Sequence, residues 1–268
     1  MINRNSVFAV LMAACLTACG GGGGSAGSVQ ESAAGVWTGS VNPFGYRDGS
    51  KSIGVISDSG EYFVLTGDSF IEFGTAKVSG STISSDNLSE ANLATGDMLD
   101  GSFSGSFVPR SSLSLIANSE INGQKTVGTA NFVFLDKYNQ SSSLATVAGY
   151  YVGVGLFGIA GNVAGSAFGG DQYSYIVDAN GVLTGASGKC LLNGRLSANN
   201  NSQNIFNLSI TTSHAPGQLC QVGARNLNGI GIDMRLDAGV RSLILFSKAK
   251  VANLDKHYYL SIMAGERQ

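Results

Sequence analysis

The sequence is short of charge, histidine, proline and any long apolar run. Sixteen Lys and Arg against 18 Asp and Glu leave a formal net charge of -2 over 268 residues. With no basic stripe visible, nothing provides the electrostatic footprint that a nucleic-acid backbone requires, and that class of partner is set aside. Only two histidines occur, His214 and His257. No HxH, HExxH or repeated Asp ladder surrounds them, so neither a metal site nor a cofactor is implied. No segment sustains an amphipathic period over about 12 residues, Ser141 to Ala148 alone offering a short linker helix, and this excludes a helical architecture. Glycine, by contrast, is plentiful, with 38 residues. It punctuates short apolar alternations together with Asn, Asp and Ser, the pattern of short strands joined by turns.

At the start of the chain Arg4 precedes an apolar run, Val7 to Leu16, that is too short to span a bilayer, and small residues lead into a cysteine. Leu16-Thr17-Ala18-Cys19 resembles the lipobox of bacterial lipoproteins. The resemblance implies cleavage before Cys19, acyl chains (palmitate among them) on that residue, and a membrane partner reached through the lipid. Residues 1–18 are then a signal peptide. Residues 19–33, rich in Gly, Ser and Ala, are the lipidated cysteine and a flexible tether. Gly20, where Asp is absent, resembles lipoproteins exported to the outer membrane, with either face open. Cys15 leaves with the signal peptide and Cys19 carries lipid. Cys190 and Cys220 remain as a pair in an exported chain, and a disulfide between them is expected.

The folded part begins near Ala34 and contains an internal echo. Gly35-Val36-Trp37-Thr38-Gly39 recurs as Gly149-Tyr150-Tyr151-Val152-Gly153, and each is followed by a hairpin-like block. The turns are Asp58-Ser59-Gly60 and Asp178-Ala179-Asn180-Gly181. Two homologous domains follow, 34–140 and 141–268. In the first the alternation predicts strands near Val36–Val41, Ser52–Ser57, Glu61–Thr66, Phe70–Val78, Thr82–Leu93, Leu99–Val108, Ser112–Asn118 and Val127–Phe134. The expected fold is all-β, with two tandem antiparallel, up-and-down, eight-stranded barrels, since closure removes exposed edges. An open sandwich is the alternative.

The span from Gly35 to Leu260 resembles a group of two-domain lipoproteins of Gram-negative bacteria. The resemblance rests on the Gly-x-Trp-x-Gly opening and on a later arrangement of Gly188-Lys189-Cys190, Asn193-Gly194, Ile205 to Ile210 and Leu219-Cys220. It implies β-barrel domains and an envelope location and carries no catalytic residue across. The anchor and glycine tether are also similar to surface lipoproteins such as the transferrin-binding and heparin-binding proteins. That likeness raises host-factor binding or adhesion as an alternative function.

Gly153-Val154-Gly155-Leu156-Phe157-Gly158 satisfies G-x-G-x-x-G, yet the glycines at 161, 165, 169 and 170 deny it the helix a dinucleotide needs. Gly67-Asp68-Ser69 resembles the block of a hydrolase family, and a Ser esterase using Ser69 and His257 is the least favoured function. Asp255-Lys256-His257 has the wrong spacing for it, and the alternating helices are missing. Asp97 with Asp100, or Asp86 with Glu90, face one another across turns as solvated carboxylates. The uncharged stretch Val152 to Gly170 reads as a long hairpin loop, with Phe157 and Phe168 as contact residues for a membrane, ligand or partner. Together these features predict a non-enzymatic binding or envelope-interaction module of the outer membrane. Its partner is an envelope or host protein or a small ligand.

Overall fold

A computed structural model describes residues 32–42, 50–67, 70–121, 124–161, 168–187, 189–199, 204–220, 222–235, 240–254 and 256–268. Cys19, the tether as far as residue 31, Asp68, Ser69 and Asp255 lie outside them. Two closed antiparallel eight-stranded barrels follow one another in the chain. The first is built from β1 (Gly35–Asn42), β2 (Ser50–Ile56), β3 (Glu61–Thr66), β4 (Phe70–Thr75), β6 (Thr82–Asn92), β7 (Met98–Val108), β8 (Ser112–Ile121) and β9 (Gln124–Phe134). Pairing of β1 with β9 and of β4 with β6 closes it, and the short β5 (Lys77–Ser79) hangs on β6. The second comprises β10 (Gly149–Ala160), β11 (Gly169–Val177), β12 (Val182–Ser187), β13 (Cys190–Ala198), β14 (Ile205–His214), β15 (Arg225–Arg235), β16 (Arg241–Lys250) and β17 (Tyr258–Arg267). It is closed by β10 against β17.

The sequence echo is one closing device used twice. Trp37 and Tyr151 are fully buried, and each sends its polar tip to the carbonyl four residues earlier: Trp37 Nε1 donates to Ala33 at 3.0 Å and Tyr151 Oη to Val147 at 2.7 Å. Burying an aromatic ring while satisfying its donor plugs the barrel end without an orphan polar group. The second glycine of each echo marks a close strand crossing. A Cβ on Gly39 would sit 1.9 Å from the Asn131 carbonyl oxygen, and one on Gly153 would sit 2.0 Å from that of Ala264. The turns match as well. Gly60 and Gly181 hold φ of 82° and 81°, and their carbonyls accept from Ala76 and Leu196, both at 2.8 Å. Only glycine adopts that conformation without strain.

Between the barrels, α1 (Leu144–Val147) lies within the linker helix expected over Ser141 to Ala148 and opens on a capping box formed by Ser143 and Thr146. Asn139 clamps β1: its Oδ1 accepts from Val36 N at 2.7 Å and its Nδ2 donates to Val36 O at 3.0 Å. Arg241 pairs with the buried Asp233, which also accepts from Ser142, so the linker is bonded to the second barrel.

The barrels share a core. Outward side chains of the first, among them Val55, Phe63, Ile71 and Phe73, pack with Ile230, Ile232, Phe246 and Leu260 of the second. Phe63 stacks on Phe246 at 5.5 Å, and Phe73 meets Tyr258 edge-on at 5.0 Å. Lys248 lies over Phe63 and bonds Glu61 at 2.8 Å. Strand β3 is therefore apolar on both faces over Tyr62 to Leu65, which is why that stretch is an unbroken apolar run.

Two expectations are corrected. Strand β10 continues to Ala160, so the long loop read over Val152–Gly170 is strand from Val152 to Ala160, where Gly153 and Gly155 serve close strand crossings rather than a turn, and residues 162–167 lie outside the described residues. The strand expected over Phe70–Val78 breaks at Ala76, where that residue's N–H leaves the ladder for Gly60.

Candidate functional site: the interior of the first barrel

The two interiors differ although their frames match. In the second, Tyr151, Tyr173 and Tyr175 stack in series, with centroids 5.1 and 5.5 Å apart, and pack with Leu183, Leu192 and Leu196. In the first, the partner of Trp37 across β1 and β2 is Gly54 and that of Gly39 is Ser52. The corresponding partners of Tyr151 and Gly153 are Tyr175 and Tyr173. Two tyrosines of the second barrel thus stand where the first has a glycine and a serine. The vacated volume is a cavity of about 80 Å³. Its apolar wall includes Trp37, Ile56, Phe103, Leu113 and Phe132. At the end where β1 finishes, Val41, Leu115, Ala117 and Ala130 are only half-buried, giving the cavity a mouth.

Two carboxyl groups also line this cavity, Glu72 and Glu90. They are direct partners across β4 and β6, and they are 7% and 6% exposed. Glu72 alternates with Ile71 and Phe73, which face the second barrel, so it must face inward. Glu90 reaches the interior through a β-bulge. Register between β6 and β7 shifts between Ser85 and Leu88, and the inward phase passes from Ile83 and Ser85 to Leu88 and Glu90. Asn87, at the bulge, accepts from Thr75 N at 2.9 Å. Thr66 donates to both Glu72 oxygens, at 3.0 and 3.2 Å, so Ser52 supplies the proton in its 3.1 Å bond to Thr66. Burial, with Glu90 opposite, pushes Glu72 up to about 8. Burial alone pushes Glu90 up to about 7. Tyr62, 3.3 Å from Ser85, holds its proton above the usual phenol range because of burial.

The residues singled out from sequence fall elsewhere. Glu90 faces Glu72 rather than Asp86, which is exposed and paired with Lys77 at 3.0 Å. Asp97 accepts from Thr95 within its turn, and Asp100 accepts from Ser89 and pairs with Lys256 on the outer face. Phe157 is an interior side chain of the second barrel, 2% exposed, and Phe168 packs into the core between the barrels. Phe157 is therefore not presented by a loop, which corrects its reading as a contact residue, while Phe168 stands just ahead of β11 with its side chain half-buried. Cys190 and Cys220 are joined by a disulfide, and beside it His214 Nδ1 accepts from Cys220 N at 3.0 Å. His257 is half-buried ahead of β17, its carbonyl accepting from Val251. Among the described residues no group of three or more His, Cys, Asp or Glu is placed to hold a metal ion. Glu72 escaped notice, although one acid inside Phe70-Ile71-Glu72-Phe73 is the signal that could have found it.

No family model matches the sequence, and no curated protein matches it. Among solved structures, the chain is similar to a putative outer membrane protein from Bacteroides fragilis, at 14% identity over 88% of this chain and 97% of that one, with a TM-score of 0.28. It is similar to the vaccine antigen transferrin binding protein B from Haemophilus parasuis, at 9% identity over 88% and 76%, with a TM-score of 0.31. A protein of unknown function from Nostoc punctiforme, of the DUF3598 family, is similar at 13% identity over 88% and 96%, with a TM-score of 0.29. At these scores the likenesses say nothing of what this chain binds.

Proposed function

We propose that this chain is a non-enzymatic binding lipoprotein of the outer membrane, anchored through Cys19, that takes a small ligand into its first barrel while the second serves as a solid support. The observation that carries this reading is the unequal filling of two matching frames: Ser52 and Gly54 leave open what Tyr173 and Tyr175 fill. Small barrels hold single small ligands in this way. Trp37, the one tryptophan of the chain, lines the cavity and reports on its occupancy. Titration with n-alkanols of increasing length should change its fluorescence saturably, and Ala117→Leu with Ala130→Leu should abolish the response. A wild-type protein that never responds would sink the pocket. Loss of membrane association in Cys19→Ala tests the anchor, and protease shaving of intact against lysed cells tests which face the barrels occupy.

A second reading, contact with an envelope or host protein, rests on an exposed apolar patch on the outer face of β10 and β11. Tyr150, Val154 and Ile176 are 46%, 65% and 52% exposed there. Val154→Glu with Ile176→Glu should eliminate any cross-linked partner in intact cells while sparing the alkanol response. Unchanged cross-linking would count against this reading.

A further inference from the structure

We infer that the ligand of the first barrel is a small organic cation, an alkylammonium or arylammonium whose nitrogen lies between Glu72 and Glu90 and whose hydrocarbon lies against the apolar wall. This rests on the reading of the cavity as a binding site. The two carboxyl groups are immediate neighbours across β4 and β6, and both are more than nine-tenths buried. No Lys, Arg or His is among the described residues lining the cavity. The nearby cations are engaged outside, Lys248 on Glu61 and Lys256 on Asp100. The Glu90 carboxyl group has no side-chain hydrogen-bond partner among the described residues, and the Glu72 carboxyl group has one hydroxyl for two oxygens. A buried carboxylate without a counter-charge is costly, so this pair lacks a cation that the barrel itself does not supply.

The chemistry of the wall selects the kind of cation. Trp37, Phe103, Leu113 and Phe132 offer an inorganic ion no oxygen ligands, whereas they suit a hydrocarbon tail. An anion would meet two acids and no compensating base. A neutral apolar ligand would use the wall and leave Glu90 unpaired. Burial raises both acids, so near neutral pH the empty barrel keeps a proton on Glu72, raised to about 8, and only part of one on Glu90, raised to about 7. Binding of R–NH₃⁺ therefore releases the Glu72 proton, with whatever Glu90 retains, to solvent as the ion pair forms. The other titratable group facing the cavity is Tyr62 on β3, and β1, β2, β7, β8 and β9 contribute none among the described lining residues.

The test follows Trp37 fluorescence with three matched probes at pH 7.5: n-hexylammonium, 1-hexanol and hexanoate. The wild type should bind hexylammonium at least about tenfold more tightly than 1-hexanol, and hexanoate most weakly. Glu72→Gln with Glu90→Gln should bring hexylammonium to parity with 1-hexanol while alcohol binding persists. Calorimetry in two buffers of different ionisation enthalpy should show proton release with the amine alone. If 1-hexanol binds as well as the amine in the wild type, the cavity is a binding site and the cation assignment is wrong. If no probe binds, the pocket reading itself fails.

Discussion

Replacing Glu72 by Gln should stabilise the ligand-free protein, and by an amount that depends on pH. Its carboxyl group is raised from 4.5 to about 8, so the folded chain holds this proton more tightly than the unfolded chain does. Below pH 4.5 both states are protonated, and the acid costs nothing. As pH rises toward 8 the unfolded chain gives up the proton first, and stability falls by about 1.4 kcal/mol per pH unit. At pH 7 the loss amounts to roughly 3 kcal/mol, an order-of-magnitude figure because Glu90 titrates nearby. Gln has no proton to lose, and its carbonyl still accepts from Thr66. Glu72→Gln should therefore raise Tm by roughly 6–12 °C at pH 7 and by almost nothing at pH 4. Thermal melts of both proteins at pH 4, 5.5, 7 and 8.5 measure this directly. A difference that is constant across pH, or a variant less stable than wild type at pH 7, would falsify the claim that this carboxyl group is buried uncompensated.

Four further outcomes follow from the packing. The disulfide spans 30 residues, worth roughly 3–4 kcal/mol on the chain-entropy model, so Cys190→Ser with Cys220→Ser should lower Tm by roughly 7–14 °C; an unchanged melt would show that the loop is already fixed without it. Phe63→Ala removes a fully buried ring from the core between the barrels and should cost about 3–5 kcal/mol, and hydrogen exchange should accelerate in strands of both barrels rather than the first alone. Gly153→Ala drives a Cβ to 2.0 Å from the Ala264 carbonyl oxygen and should disrupt the pairing of β10 with β17. Gly217→Ala meets nothing within 4 Å and should cost only the strain of its positive φ, about 1 kcal/mol in denaturant titrations.

The strands were legible because alternation and turn chemistry agree in this chain: Asp58-Ser59-Gly60 and Asp178-Ala179-Asn180-Gly181 make the turns their residues prescribe. The repeat was legible for the same reason, since Gly39 and Gly153 stand at the same place in each echo and each leaves room for the backbone of a neighbouring strand. What the sequence hid depends on phase and on contacts between distant strands. Glu90 reads as a surface acid until the bulge at Ser85 to Leu88 turns it inward, and no local propensity announces that bulge. Phe157 reads as a loop residue because Gly153, Gly155 and Gly158 look like breakers, whereas the crowding at Gly153 comes from β17, about a hundred residues away, and that at Gly155 from Tyr173 of β11 and again from β17. The shared core between the barrels was signalled only by the unbroken run Tyr62 to Leu65, which has the same pattern as any buried strand.

The position of the carboxyl pair explains why a hollow barrel is joined to a filled one. A barrel that gives up two interior tyrosines and accepts two buried acids loses packing and takes on a desolvation cost together. The acids stand on β4 and β6, and the opposite faces of those strands, through Ile71, Phe73 and Ala91, press against the second barrel. The wall that carries the chemistry is thus also the wall braced from outside. Burial of Ile71 and Phe73, at a few kcal/mol for each fully buried side chain, offsets at the outer face what Glu72 costs at the inner one. A detached first barrel would keep the acids and lose the brace, so the second barrel supports the cavity of the first without lining it.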